Sequence, residues 1–173
     1  NAALALETTA DKIASFADSV SFCLSKGLAC PIGTLLCGNG EFIAKSRRVR
    51  KVLGGGMRQA GIIAAAGIVG LHTMIDRLPE DHLNARALAQ GLELVAGIEV
   101  RPVKRRTNMV VFDVAGDASA AAKFAATLKQ RGVLIGSRGP TAFRAVTHYG
   151  ISHDEINRAL AAISESAAET LAG

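Results

Sequence analysis

Lys26 has the setting in this sequence that points most directly to chemistry. It stands between Ser25 and Gly27, at the start of a loop that follows a run of strand-forming residues. A lysine amine becomes a nucleophile toward an aldehyde when it is held in place and part of it is uncharged. A strand on one side fixes the backbone, and a following glycine lets another group pass closely. Most loop lysines are simply solvated, so this triplet alone does not exclude that Lys26 is an ordinary surface lysine.

Histidine and cysteine spacing offers little for metal chemistry. His148 and His153 straddle a glycine and a helix start, so they do not share a helix face and no metal site is expected. The three cysteines are odd in number and lie seven residues apart, which favours reduced structural thiols over a disulfide framework or a zinc site. Cys23 and Cys30 flank Lys26, so either could line a site.

The elements around Lys26 predict a strand, a loop and a second strand, followed by helices. A threonine pair predicts a break between two short helices ahead of the first strand, and a triple glycine ends the helix after the second strand. The helix after the glycines is apolar on nearly every side and is expected to be buried. The predicted elements are a helix at Ala10–Phe16, a buried strand at Asp18–Leu24, a strand at Gly33–Cys37, and helices at Glu41–Val52 and Met57–Met74.

The second half predicts helices packed on a small, mostly antiparallel sheet. Pro79 suits a helix start, Asp117 an N-cap, and Ser152 with Glu155 a capping box. The expected helices run from Pro79 to Val95, over Ala118–Gln130 and onward from Ser152, and the expected strands are Ile98–Val103, Met109–Val114, Val133–Ile135 and Ala142–Thr147. The domain boundary is placed between residues 77 and 78.

Composition narrows the class of protein. No apolar run approaches the roughly 18 residues that a membrane span needs, and no pattern resembles a signal peptide, so a cytoplasmic protein without a membrane partner is expected. The net charge of +5 is concentrated in two basic clusters, residues 45–51 and 101–106. Such clusters can bind nucleic acid, but the sequence has no Trp and no nucleic-acid motif. A solvated face or a site for a small phosphate-bearing ligand is favoured over a nucleic acid partner.

Three blocks carry a resemblance to a known family. They are Asp18–Gly38 around the lysine, Arg47–Gly61 with its triple glycine, and Arg144-Ala-Val-Thr-His148 ahead of a capped helix. In this order and spacing they resemble the threonine aldolase and β-eliminating lyase family of pyridoxal phosphate enzymes. The resemblance extends over essentially the whole chain and is strongest through residues 18–72. It implies an α/β fold, with residues 1–77 as the end of a fold type I large domain and residues 78–173 as a small α+β C-terminal domain.

The resemblance also implies roles for four residues. Lys26 is similar to the catalytic lysine that holds pyridoxal 5'-phosphate as a Schiff base. Lys51 and Arg58 resemble residues that extend toward the cofactor phosphate, commonly in a neighbouring subunit's site. Arg144 resembles the arginine that binds the α-carboxylate of the substrate. Without the family pattern, Lys51 and Arg58 are interpreted as ordinary solvated charges, and a surface or inter-strand arginine is as good an interpretation of Arg144 as a carboxylate ligand.

The implied reaction is cleavage of L-threonine or a related β-hydroxy-α-amino acid to glycine and an aldehyde. The family implies a cytoplasmic homo-oligomer, expected to be a homotetramer with sites at subunit interfaces. It also implies a role in threonine catabolism and glycine biosynthesis. The acid that pairs with the pyridinium nitrogen has no counterpart here, so a missing N-terminal half and an inactive isolated chain are expected. Two alternatives stay open: a β-eliminating amino-acid lyase of the same fold, and a non-catalytic basic binding module.

Overall fold

The computed structural model of the chain describes residues 1–171 and separates into two compact units. The first unit is Asn1–Leu78 and the second is Pro79–Gly173. The sequence placed the domain boundary between residues 77 and 78. The functional identity of the two parts, a large-domain end and a small domain, stays a prediction.

The first unit is built around a two-stranded antiparallel hairpin. Its elements are α1 (Ala2–Ala5), α2 (Ala10–Ala14), β1 (Ser19–Cys23), β2 (Thr34–Gly38), α3 (Gly40–Val52) and α4 (Gly61–Thr73). Strand β1 pairs with β2 from Ser19 opposite Gly38 to Cys23 opposite Thr34. The expectation of a buried first strand is wrong, because the first two residues of β1 are half-buried and the last three are exposed, with Phe22 at 37%. An apolar pattern indicates a surface suited to burial and does not say what covers it.

Helix α3 follows the hairpin and forms for local reasons. The Asn39 side chain accepts a hydrogen bond from the Phe42 N–H at 2.9 Å, which satisfies one free donor of the first turn. Glu41 and Lys45 form an i,i+4 pair on the exposed surface. The prediction of a basic helix ending at Val52 is confirmed.

Helix α4 departs from the prediction in length and in burial. It begins at Gly61 rather than Met57, since Gln59 has a left-handed φ of +49° that a helix cannot contain. Its only buried residues are Gly67 and Gly70, whereas Ile62 is 87% exposed. The prediction of a long buried helix is therefore wrong: α4 is shorter, and only the side of the helix that carries Gly67 and Gly70 is buried.

The second unit places three helices on one face of a four-stranded sheet. Its elements are α5 (Leu78–Leu92, starting at the boundary), β3 (Ile98–Val100), β4 (Met109–Val114), α6 (Ala118–Gln130), β5 (Gly136–Ser137), β6 (Ala142–Val146) and α7 (His153–Thr170). The strand order is β3-β4-β6-β5, and every neighbouring pair is antiparallel. The strand predicted at Val133–Ile135 is wrong: the side chains of Val133 and Ile135 pack on the core, and pairing with β6 begins at Gly136.

The core of the second unit lies between the helices and the inner faces of β4 and β6. Phe112 and Phe143 stack with ring centroids 5.8 Å apart, and Phe124 meets Phe143 edge-on at 5.6 Å. The expected caps are present, since Asp117 accepts hydrogen bonds from the Ser119 and Ala120 N–H groups in the first turn of α6, and Ser152 with Glu155 forms a capping box on α7. This core holds β6 in a fixed orientation and leaves its outer face open.

Among residues 1–171, no single helix is long and apolar enough to cross a membrane. Helices α4 and α5 meet the length and composition criteria only when they are joined across the break between them.

Candidate active site

The loop that carries Lys26 spans residues 24–33 and is closed at its base. The Leu24 N–H donates to the Gly33 carbonyl at 2.9 Å, and the Cys30 N–H donates to the Leu24 carbonyl at 3.2 Å. Inside this closure, the Ala29 N–H donates to the Lys26 carbonyl at 2.9 Å, which makes a tight turn. Lys26 therefore stands at the first position of a hydrogen-bonded turn.

The loop is anchored on both sides of the lysine. Leu24 is 6% exposed and Cys30 is 8% exposed, whereas Lys26 between them is exposed. Gly27 is also confined, because a Cβ there would lie 2.9 Å from Leu78 Cδ2. The anchors fix the backbone while the lysine side chain stays accessible.

The Lys26 amine is available to a ligand. Within the described part of the chain, its side chain makes no hydrogen bond and no ion pair. An exposed primary amine on an anchored turn suits a lysine that bonds a carbonyl ligand.

Lys51 lies in the last turn of α3, where the triple glycine folds back on the helix. The Gly55 N–H donates to the Arg50 carbonyl at 2.8 Å and the Gly54 N–H to the Lys51 carbonyl at 3.2 Å, a Schellman motif with Gly54 at φ +81°. A Cβ at Gly56 would lie 2.5 Å from Lys51 Cδ, so glycine makes room for the lysine stem. This role for the glycines is local.

Arg58 lies in the irregular segment between α3 and α4, and both it and Lys51 are exposed. Neither side chain is engaged in a hydrogen bond or ion pair with residues 1–171. Both cations are free to meet an anionic group.

Arg144 lies in the second unit, at the centre of β6. It pairs with Val111 on β4 and with Gly136 on β5, and its side chain is exposed while Phe143 and Ala145 point into the core. The alternation of a strand fixes this orientation. Gly136 has no side chain, so the neighbouring edge strand leaves the space beside Arg144 open.

A carboxylate on the same outer face is already engaged. Asp113 lies two residues from Val111 on β4, and Arg101 binds it through Nε at 2.6 Å and Nη2 at 2.9 Å. The hydrogen bonds from Arg101 hold the pKa of the Asp113 carboxyl below its usual range. The described residues thus give Arg144 no ion pair of its own, and the guanidinium is open to an external carboxylate.

Buried hydrogen bonds fix the end of the strand that carries Arg144. The Thr147 hydroxyl donates to the Asp81 carbonyl at 2.6 Å, and the Thr147 N–H donates to the Asn108 carbonyl at 3.0 Å. The Asn108 amide returns a bond to the Thr147 carbonyl at 2.8 Å. Thr147 is 3% exposed and lies three residues after Arg144, so it ties β6 to β4 and to α5.

Replacing Thr147 by valine is expected to destabilise the second unit by about 1–3 kcal/mol, because the Asp81 carbonyl then loses a buried donor. Thermal or urea unfolding of the chain measures this change. Thr147→Ser keeps the hydroxyl and should unfold within about 1 kcal/mol of the original chain. Equal stability of the valine and original chains would show that this hydrogen bond contributes nothing.

Comparisons with known proteins identify the family. The family model described as beta-eliminating lyase matches residues 1–115, which include Lys26, Lys51 and Arg58. The chain belongs to the beta-eliminating lyase family. The resemblance inferred from the sequence is confirmed, while Arg144 lies outside the matched range.

Individual relatives of this lyase-family chain agree. Low-specificity L-threonine aldolase 1 of Arabidopsis thaliana is 37% identical over 167 residues, which cover 96% of this chain and 47% of that protein. Low specificity L-threonine aldolase of Escherichia coli K12 is 42% identical over 156 residues, 90% of this chain and 45% of that protein. The chain thus spans about half the length of the curated relatives it matches.

A solved structure shows the fold of this family member. A candidate L-allo-threonine aldolase from Listeria monocytogenes superimposes with a TM-score of 0.78 at 16% identity, covering 95% of this chain and 48% of that one. This likeness confirms the predicted α/β fold. The roles of Lys26, Lys51, Arg58 and Arg144 stay predictions.

The histidines and cysteines considered in the sequence do not form a metal site in the described residues. In the family member's described residues, no group of three or more His, Cys, Asp or Glu could hold a metal ion. His148 is exposed, and its Nδ1 lies 2.8 Å from the Tyr149 carbonyl. All three cysteines are free, and Cys30 alone is buried, so of the two cysteines beside Lys26 only Cys30 has a packing role.

Sequence reasoning missed the residues that hold the site residues in place. Leu24 and Thr147 were read only as parts of a strand, although each anchors a candidate site residue. A usable signal existed for Thr147, since a hydroxyl at an apolar, inward position needs a buried hydrogen-bond partner. No comparable signal marks Leu24.

Proposed function

We propose that this chain supplies the cofactor lysine and the carboxylate-binding arginine of a pyridoxal phosphate-dependent aldehyde-lyase. The reaction is cleavage of L-threonine or a related β-hydroxy-α-amino acid to glycine and an aldehyde. Membership in the beta-eliminating lyase family supports the cofactor. The observation that carries the proposal is the exposed Lys26 on its anchored, hydrogen-bonded turn.

The donor set of the first unit suits this cofactor. Lys26 would hold the aldehyde carbon through its amine, and Lys51 and Arg58 are unengaged cations that would attract the phosphate. When bound, pyridoxal phosphate supplies an electron sink for the pair released as the bond to Cα breaks.

Arg144 would bind the α-carboxylate of the amino acid. A guanidinium offers two parallel N–H donors to a carboxylate, which fixes position and orientation together. The orientation decides which bond to Cα is aligned for cleavage, so Arg144 would contribute to rate as well as to binding.

We propose further that activity requires surface beyond this chain. The chain spans 47% of the Arabidopsis relative, and large apolar side chains of the first unit are open to solvent: Phe16 is 92%, Ile62 87% and Val52 80% exposed. Such surface typically marks an interface. An N-terminal half and a homo-oligomer, as the resemblance implies, would cover it, and the chain by itself would be inactive.

The test is trapping of the cofactor. The chain is co-expressed with the N-terminal half of a relative, loaded with pyridoxal phosphate, reduced with borohydride and digested. Mass spectrometry is expected to find the pyridoxyl label on Lys26. A protein that stays colourless, or a label on other lysines only, overturns the proposal.

The products decide between the two lyase reactions. Incubation with L-threonine should release glycine and acetaldehyde in equal amounts. The family name makes β-elimination a specific competitor. That reaction would release ammonia and a 2-oxo acid instead. Detection of these products in place of glycine and acetaldehyde would assign β-elimination as the activity.

A further inference from the structure

Helix α4 contains three glycines, and two of them face the lysine loop. Gly67 and Gly70 are three residues apart, which puts them on one side of the helix, and they are the only buried residues of α4. Glycine is a poor helix former. Two glycines on the buried face therefore indicate a contact that needs the absence of a side chain.

Gly67 faces Leu24, the residue two positions before Lys26. A Cβ at Gly67 would lie 2.9 Å from Leu24 Cδ1, closer than carbon atoms approach. Leu24 is 6% exposed. Gly67 thus forms a recess in α4 that receives the Leu24 side chain.

Gly70 faces the other end of the turn. A Cβ at Gly70 would collide with Cys30 Sγ and would lie 3.0 Å from the Leu28 carbonyl oxygen. The Cys30 thiol also donates to the Ala66 carbonyl of the same helix at 3.5 Å. Gly70 therefore admits both the thiol and the loop backbone.

We propose that α4 positions Lys26, with Gly67 and Gly70 as two recesses that seat Leu24 and Cys30 on either side of it. Within residues 1–171 the Lys26 side chain makes no hydrogen bond or ion pair, so the direction of its amine depends on the loop backbone. Two contacts, one on each side, fix both ends of the turn against a rigid element. Gly67, Gly70, Leu24 and Cys30 act as positioning residues, and this inference rests on the proposed function of Lys26.

The test is Gly70→Ala, with Gly61→Ala as the matched control. Both replace glycine by alanine in α4, but no atom lies within 4 Å of a Cβ at Gly61. The first measurement is hydrogen exchange on the chain alone. Gly70→Ala should speed exchange of the Leu24, Ala29 and Cys30 amides, whose hydrogen bonds close the loop, and Gly61→Ala should leave these amides unchanged.

The second measurement is borohydride trapping on the cofactor-loaded protein. Gly70→Ala is expected to lower the rate of labelling at Lys26 by about 10- to 100-fold, the effect of a displacement of about 1 Å at a reacting group. Gly61→Ala should label at the original rate. Adding Cys30→Ala to Gly70→Ala removes the thiol and should restore part of the labelling.

Leu24→Ala tests the other recess without introducing a clash. It empties the space at Gly67 and should produce the same faster exchange in the loop and slower labelling, even if Gly70→Ala does not fold. Original exchange and labelling in both folded variants would overturn the inference. If the original protein is never labelled at Lys26, the proposed function fails, and the exchange data still decide whether α4 seats the loop.

Discussion

Replacing Lys26 by arginine is expected to abolish covalent capture of pyridoxal phosphate and to lower kcat/KM for L-threonine by at least about 1,000-fold. The variant keeps a positive charge and a long side chain at the exposed turn. A guanidinium stays protonated and cannot add to an aldehyde. Absorbance of the loaded protein, borohydride labelling and steady-state kinetics measure the three consequences.

Lys12 offers the matched control for this prediction. It is an exposed lysine on α2 of the same unit, so Lys12→Arg should keep both the label on Lys26 and the rate. In a Lys26→Ala variant, a small primary amine added to the solution should restore part of the activity, because it replaces the missing nucleophile. Undiminished colour and turnover in Lys26→Arg would contradict the assignment.

The position of Lys26 could be predicted because it depends on local signals. The strand before it and the strand after it each have a readable pattern, and the eight residues between the predicted strands contain a glycine and a proline, which predict a loop. The family resemblance alone pointed to Arg144, and its outward orientation follows from the alternation along β6, which turns it away from Phe143 and Ala145. Short-range patterns thus place Lys26 in a loop, whereas the proposed roles of both residues come from the resemblance.

The start and burial of α4 could not be predicted in this way. The left-handed conformation at Gln59 has no sequence signal, since glutamine rarely adopts it. The apolar residues of the helix matched a buried helix, but which side is covered depends on residues distant in sequence. Gly67 and Gly70 looked like weak helix formers until Leu24 and Cys30 were seen against them.

The contacts of Thr147 show a related limit. Its hydroxyl bonds the carbonyl of Asp81, 66 residues earlier in the chain, and its backbone bonds Asn108, 39 residues earlier. Sequence can indicate that a buried hydroxyl needs a partner, but the partner is set by the packing of α5 on the sheet. The residues expected to do chemistry were thus easier to find than those that hold them.

Replacing Arg144 by glutamine is expected to lower kcat/KM for L-threonine by about 100- to 1,000-fold, through loss of the two charge-assisted hydrogen bonds that Arg144 is proposed to make to the α-carboxylate. Most of the change should appear in KM, with a smaller fall in kcat from poorer alignment. Arg144→Lys keeps the charge without the paired donors, so its kcat/KM should lie between those of the original protein and the Arg144→Gln variant. Because Arg144 is exposed and lacks an ion pair within residues 1–171, neither variant should change the unfolding midpoint appreciably.

A substrate without a carboxylate separates binding from a general structural effect. The amino alcohol corresponding to threonine should bind the original protein and the Arg144→Gln variant equally weakly. The preference of the original protein for the amino acid over the amino alcohol should therefore largely disappear in the Arg144→Gln variant. Arg158→Gln is the control, since Arg158 is an exposed arginine of the same unit whose contact with Glu155 is a long 3.7 Å pair. If Arg144→Gln weakens amino acid and amino alcohol by the same factor, Arg144 does not bind the carboxylate, and its outward position on β6 has another purpose.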